Sequence, residues 1–308
     1  MADAIAHVTV GVADLKPVFD LWTDRFGLET VTRRRGPDSG LARLWGIEAA
    51  NIADQLLVRT PGAVTGWLHF VQFDKPDAPV RRGAAATDLG PKNIDVNCRD
   101  MPVRYAELQA AGHSFRSGIV EYEIGGIRAR EVQMPGHDDI NVVLIEILSR
   151  GFDINFSPQS YGAVTSFVVI VPDTTVEAEF YRNVFGFDEL MHHCITGPGI
   201  EEAVGLPKGS ALEMRLMGHQ RKIFGRMELI TYKGFEGLDR FALAKPPALG
   251  ILHCGVAVES VQQVVRRARI AGSSAVEFDR IETIFGSGEM ATVNSPAGLR
   301  IDVYQCQV

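Results

Sequence analysis

His7 opens the stretch AHVTVGVADL, whose apolar residues alternate until Asp14 closes it. Alternation at every second residue marks a half-buried strand, so the imidazole belongs to one defined face. Such a histidine is usually a satisfied core or surface residue; the other reading is that it is held there to bind a proton or a metal ion. The phrase recurs three times with the histidine position reoccupied: Asn93 in NIDVNCRD, Ser166 in SFVVIVPD and His253 in HCGVAVES. Four later strand-like stretches carry a polar or charged residue in an apolar run. These are His69 in WLHFVQF, Glu146 in INVVLIEIL, Glu228 in RMELITY and Asp302 in LRIDVYQ. His7 and His69 are as far apart in sequence as Ser166 and Glu228, which aligns the two pairs.

The elements that must position these residues form a repeat. After the first strand, LKPVFDLWTDRFGLE places Val18, Phe19, Trp22 and Phe26 on one helical face, with Asp14 as N-cap and Gly27 as the stop. SFVVIVPDTTVEAEFYRNVFGFDE repeats this grammar, with Asp173 as cap, Val176, Phe180, Tyr181 and Val184 on the face, and Gly186 at the end. NIDVNCRDMPVRYAELQAAG and HCGVAVESVQQVVRRARIAG follow it more loosely. Three strand-like segments come after each helix, so the unit is βαβββ, present four times. Linkers rich in Pro, Gly and Asp divide the chain into an N-terminal pair over 1–150 (units at about 1–75 and 90–150) and a C-terminal pair over 160–308 (units at about 160–233 and 249–308). One unit cannot bury both faces of its short sheet. Two side by side make a half-closed barrel and four make two, an α+β architecture.

The fourfold repeat, AHVTVGVADL with its FYRNVFGF-like helix, and the strand endings RMELITY and AGLRIDVY make the chain resemble the vicinal oxygen chelate superfamily of glyoxalases, bleomycin resistance proteins and extradiol dioxygenases. The resemblance covers nearly the whole chain. It implies metal ligands on the first and last strand of each unit, pointing into the cup formed by two units. Those positions are His7 and His69, Asn93 and Glu146, Ser166 and Glu228, and His253 and Asp302. Pairing unit one with two and three with four leaves each cup one poor ligand, and makes Glu146 and Glu228 ligands. Pairing one with four gathers His7, His69, His253 and Asp302 in one cup, and leaves a degenerate set of Asn93, Glu146, Ser166 and Glu228 in the other. The second sorting is preferred. Three of the eight histidines fall on these positions.

Imidazoles with a carboxylate suit one divalent ion, Fe, Mn, Zn, Ni or Co. The resemblance then implies a metal-dependent lyase or isomerase acting on a small vicinally oxygenated substrate through a metal-stabilised enolate or enediolate, with Asp302 as base. Two alternatives stay open. One is an Fe(II) ring-cleaving dioxygenase, although IFGSGEMATVNSPAGLR lacks the tyrosine or histidine acid–base residue of that class. The other is a non-catalytic small-molecule binder with cups lined by aromatics such as Trp45, Trp67 and Phe73.

Bulk properties exclude other classes. The 308 residues are 46% hydrophobic with a formal charge of −7, and the basic residues are scattered apart from Arg33, Arg34 and Arg35. No concentrated basic face points to nucleic acid. No apolar run is long enough for a membrane span, and no signal peptide is legible. Cys98, Cys194, Cys254 and Cys306 form no CxxC pair, which reads as reduced thiols in a cytoplasmic protein. Cys254 is read as core, His113, His137 and His219 as solvated turn residues, and His192 and His193 as residues at a cup or facing solvent. The cups close within one chain or across a homodimer.

Overall fold

The computed structural model describes residues 4–152 and 154–305; Cys306 lies outside them. Module one supplies β1 (His7–Val12), β2 (Glu29–Arg35), β3 (Ile52–Arg59) and β4 (Trp67–Phe73), and a short β5 (Asp77–Pro79) follows. Module two supplies β6 (Gly90–Cys98), β7 (Val120–Ile124), β8 (Ile127–Pro135) and β9 (Asn141–Ile147). Module three has β10 (Tyr161–Ile170), β11 (Asp188–Thr196), β12 (Ala211–Gly218) and β13 (Arg226–Lys233). Module four has β14 (Ala248–Val258), β15 (Ala275–Thr283), β16 (Gly286–Asn294) and β17 (Arg300–Gln305).

The strands form two curled sheets, ordered β15-β16-β17-β14-β1-β4-β3-β2 and β11-β12-β13-β10-β6-β9-β8-β7. In each module the first strand runs parallel to the last. The seams are antiparallel, β1 against β14 and β10 against β6. Module one therefore shares a sheet with module four, and module two with module three. Each sheet draws one module from either half of the sequence.

Helices follow from their caps. Helices α1 (Lys16–Val18), α2 (Ser39–Trp45) and α3 (Met101–Ala110) precede α4 (Thr174–Phe185), which opens where the Asp173 side chain accepts from the amides of Thr175 and Val176. Gly186 closes α4 at φ 78°. Asp14 accepts from the Lys16 amide at 2.9 Å, and α1 runs straight into a π-helix over Phe19–Arg25. Its face is as the sequence reads it, with Val18, Trp22 and Phe26 buried and Phe19 partly so. On α4 the reading needs one correction. Val176 is 48% exposed, and Glu177 is buried in its stead. The Glu177 carboxylate accepts from the Ser295 hydroxyl and the Ala297 amide of module four, which fixes that turn of the helix inward.

The alternation of the strands sorts side chains between two environments. Val8, Val10 and Val12 of β1, Leu68 and Phe70 of β4, and their counterparts in the other modules join Trp22, Phe26, Phe180 and Tyr181 in one large core to which all four modules contribute. The opposite faces line the two cups, each with its own apolar cluster. Remaining helices α5 (Pro198–Val204) and α6 (Val261–Ile270) pack on cup two and on module four. No helix among the described residues is long and apolar enough to cross a membrane. Cys98 and Cys254 are buried and Cys194 is exposed.

Candidate functional site

In the first cup, His7 and Thr9 on β1, His69 on β4, His253 on β14 and Asp302 on β17 share one concave face. Strand register brings Thr9 opposite His69, His7 opposite Gly255 and Gly255 opposite Asp302. His7, His69, His253 and Asp302 are each exposed by 1% or less. Gly255 makes this possible: a Cβ there would lie 2.0 Å from Cε1 of His7. Only glycine leaves the imidazole its room.

Hydrogen bonds fix each group. The Tyr304 hydroxyl is 2.9 Å from Nδ1 of His7, while Nε2 of His7 has no partner. His69 Nε2 meets Gln55 Oε1 at 3.1 Å, and the Gln55 amide nitrogen donates to Asp38 at 3.0 Å. Since that nitrogen faces a carboxylate, Oε1 must be the atom facing His69. His69 Nε2 is then the protonated nitrogen, and the lone pair lies on Nδ1, 3.4 Å from the Thr9 hydroxyl. His253 Nε2 lies 3.1 Å from Asp302 Oδ2, poorly aligned for a hydrogen bond, and its Nδ1 has no partner. Asp302 accepts from the Trp45 indole at 2.8 Å, from Thr292 at 3.1 Å and from Arg300 at 3.0 Å. Burial alone would raise its carboxyl. The positive charge of Arg300, with His253, outweighs that and holds it well below the usual range. Burial, then the neighbouring His253, pushes His7 down to about 3; burial likewise lowers His69 and His253.

These residues fit an ion by donor chemistry. Leaving a buried imidazole nitrogen unpaired costs roughly 1–3 kcal/mol, and here His7 and His253 both do so beside a carboxylate. The remaining nitrogen of His7 is oriented by a neighbour, as metal-bound imidazoles are. The spacing is less closed. Among the described residues no three His, Cys, Asp or Glu side chains converge tightly enough to hold an ion as they stand. Phe285, at the tip between β15 and β16, is half-buried and stacks on His7 with ring centres 4.1 Å apart. Trp45, at the end of α2, closes the other side.

The second cup holds Asn93, Asp95, Ser166 and Glu228. The seam sets Ser166 opposite Asp95 and Val168 opposite Asn93, so Asn93 takes the place of His253 and Asp95 that of Gly255. Asp95 pairs in register with Val143, which therefore replaces Asp302. Glu146 is not in this cup, a correction to the sequence alignment. It lies on the other strand face, where its carboxylate accepts from the Asp100 and Met101 amides at the start of α3 and pairs with Arg130. Lys92, Asp95, Tyr122, Glu131, Glu228 and Tyr232 surround a cavity of about 170 Å³ whose remaining wall is largely aliphatic. Sequence reasoning missed Asp95, although the period-two stripe Asn93, Asp95, Asn97 in NIDVNC carries the signal. It also missed Gln55, Arg300 and Phe285, which reach the first cup from elements with no such mark.

Other histidines fall outside both cups. His192 is exposed and pairs with Glu213 at 3.0 Å. The expectation that His137 is solvated is corrected: its side chain is 8% exposed, accepts from the Trp22 indole at 3.1 Å and pairs with Asp138.

No protein-family model matches the sequence, and no curated protein matches it. Solved structures do match the fold. Glyoxalase I from Zea mays superposes with a TM-score of 0.68 at 11% identity, over 99% of this chain and 92% of that one. A single-site variant of the same enzyme gives 0.69 at 12% identity, with the same coverage. A Bacillus subtilis chain whose name proposes a dioxygenase gives 0.63 at 11%, over 100% of this chain and 86% of that one. The chain shares the fold of glyoxalase I over nearly its whole length.

Proposed function

We propose that the protein is a divalent-metal-dependent lyase or isomerase of the glyoxalase type, acting in the first cup on a small substrate with adjacent oxygens. The observation that carries this reading is the convergence of two fully buried imidazoles, His7 with an unpartnered Nε2 and His253 at 3.1 Å, on the Asp302 carboxylate. His7 Nε2, His253 Nε2 and Asp302 would hold the ion, and His69 is the fourth candidate. When bound, the ion would stabilise negative charge on the substrate oxygens.

The chain's own groups divide the remaining work. Asp302, held so acidic by Arg300 and His253, is a weak proton acceptor and serves better as ligand than as base. His69 is placed for proton transfer by geometry: the Asp38–Gln55 chain fixes its tautomer and leaves the Nδ1 lone pair inside the cup, where burial lowers its basicity. Tyr304 orients His7, and Phe285 and Trp45 keep water out. A substrate enters by displacing Phe285.

One observation favours a second reading. With His69 engaged by Gln55, two histidines and one carboxylate remain, the donor set of Fe(II) oxygenases. Elemental analysis of untagged protein purified without chelators tests both. About one ion per chain, lost in His253→Ala and kept in His69→Ala, is expected. Iron with oxygen uptake would select ring cleavage, and another divalent metal the glyoxalase type. Protein that refuses every added ion overturns both.

A further inference from the structure

We infer that the second cup is a separate, metal-independent binding site for a small organic ammonium ion with an apolar body. It is independent of the first cup: no candidate metal ligand of that cup lines it.

The head of the site is the Asp95–Ser166–Glu228 group. The Ser166 hydroxyl is 2.6 Å from Asp95 Oδ2 and 3.3 Å from Glu228 Oε2. One hydroxyl hydrogen cannot satisfy two carboxylates, so one carboxyl must keep a proton. Burial, then the charge of Glu228, raises Asp95 well above the carboxylate range; burial, then Glu131, raises Glu228 to about 7. Asp95 is 3% exposed and shares the retained proton with Glu228, and its Oδ1, at the cavity, receives no N–H or hydroxyl donor. An unsatisfied buried carboxyl oxygen beside a second carboxyl points to a missing donor, and a cationic donor would let both ionise.

The other charged groups do not supply it. Lys92 donates to the Tyr232 hydroxyl at 2.6 Å, and burial, then Arg81, lowers it to about 7. Glu131 accepts from Tyr122 at 3.0 Å and from Gln133 at 3.1 Å. Arg226 donates through Nε to the Lys222 carbonyl at 3.1 Å and, among the described residues, makes no hydrogen bond or ion pair with Asp95 or Glu228. Arg81 and Arg116 stand beyond Lys92, around an adjoining polar cavity. A cation is thus repelled from the Lys92 end and drawn to Asp95 and Glu228. The body of the ligand meets Ile124, Ile127, Val143, Val168, Leu212 and Met214. A cavity of about 170 Å³ suits a ring the size of benzene, since an apolar cavity of about 150 Å³ accepts one.

The test is calorimetric titration of the full chain with benzylamine, benzyl alcohol and benzoate as probes, at pH 6 and 8. Benzylammonium should bind at least tenfold more tightly than the alcohol, more tightly at pH 8, and with proton release seen as a dependence of the heat on buffer. Asp95→Asn should weaken it at least tenfold and change the alcohol by less than threefold. The proton count is read on the unaltered protein and stands even if the variant folds poorly. Equal or tighter binding of the alcohol, preference for benzoate, binding without proton release, or no binding of any probe overturns the inference. None of these outcomes depends on whether the first cup holds metal.

Discussion

The two cups are built from the same eight-strand plan, yet one is filled with imidazoles and the other with carboxyls. The difference turns on a pair of facing positions. In the first cup Gly255 faces His7, and the absent Cβ leaves the ring its space. In the second, Asp95 faces Ser166, so a larger side chain enters from the opposite strand where the smaller one leaves room. The exchange conserves volume and inverts chemistry: a set of imidazoles, proposed to coordinate a cation, becomes a set of carboxyls. The covers differ as well. Trp45 and Phe285 pack directly on the candidate ligands, whereas Ile200 and Val204 of α5 stand around an open cavity.

Breaking that compensation should have the largest effect. Gly255→Asp drives a side chain into His7 and buries a new charge, and should cost about 3 kcal/mol or more by denaturant unfolding. Adding His7→Ser, which recreates the arrangement of the second cup, should recover at least half of it. If the double variant is no more stable than the single one, the two seams are not equivalent.

Removing the first cup's cover should act next. Phe285→Ala should cost about 1–2 kcal/mol, less than a fully buried phenylalanine, and speed the loss of the proposed ion to a chelator. Unchanged loss kinetics would mean that Phe285 does not gate the cup. Trp45→Phe keeps an aromatic ring over the cup but removes part of the bulk and the indole donor to Asp302. It should cost about 1–2 kcal/mol and weaken metal binding about tenfold, measured by competition with a chelating dye.

The smallest effect belongs to the second cup and is one of pH. Glu228 is raised from 4.5 to about 7 in the folded chain, so folding favours its protonated form. The stability this contributes is present in acid and declines as pH climbs from about 4.5 through about 7. Glu228→Gln should flatten that slope by about 1–2 kcal/mol, a figure reduced because the proton is shared with Asp95. Glu177, raised to about 7 at the contact with module four, should keep part of the slope. An unaltered slope in Glu228→Gln would show that the Asp95–Glu228 pair carries no shared proton.

Much of this was written in the chain. Alternation fixes which side of β1, β10 and β14 faces a cup, because the side-chain period of a strand is two. The repeat gives four βαβββ modules, and His7, His69, His253 and Asp302 are legible as equivalent positions within it. Tertiary structure decided the rest, since adjacency between distant strands is not a local property. The seam of β1 with β14 brings residues of the two chain ends together, and the single-residue register of β6 against β9 makes Val143 rather than Glu146 the partner of the cup. One residue of slip turns a side chain to the other face of the sheet. The local sequence of LIEIL cannot say which face that is; the packing of both sheet faces does.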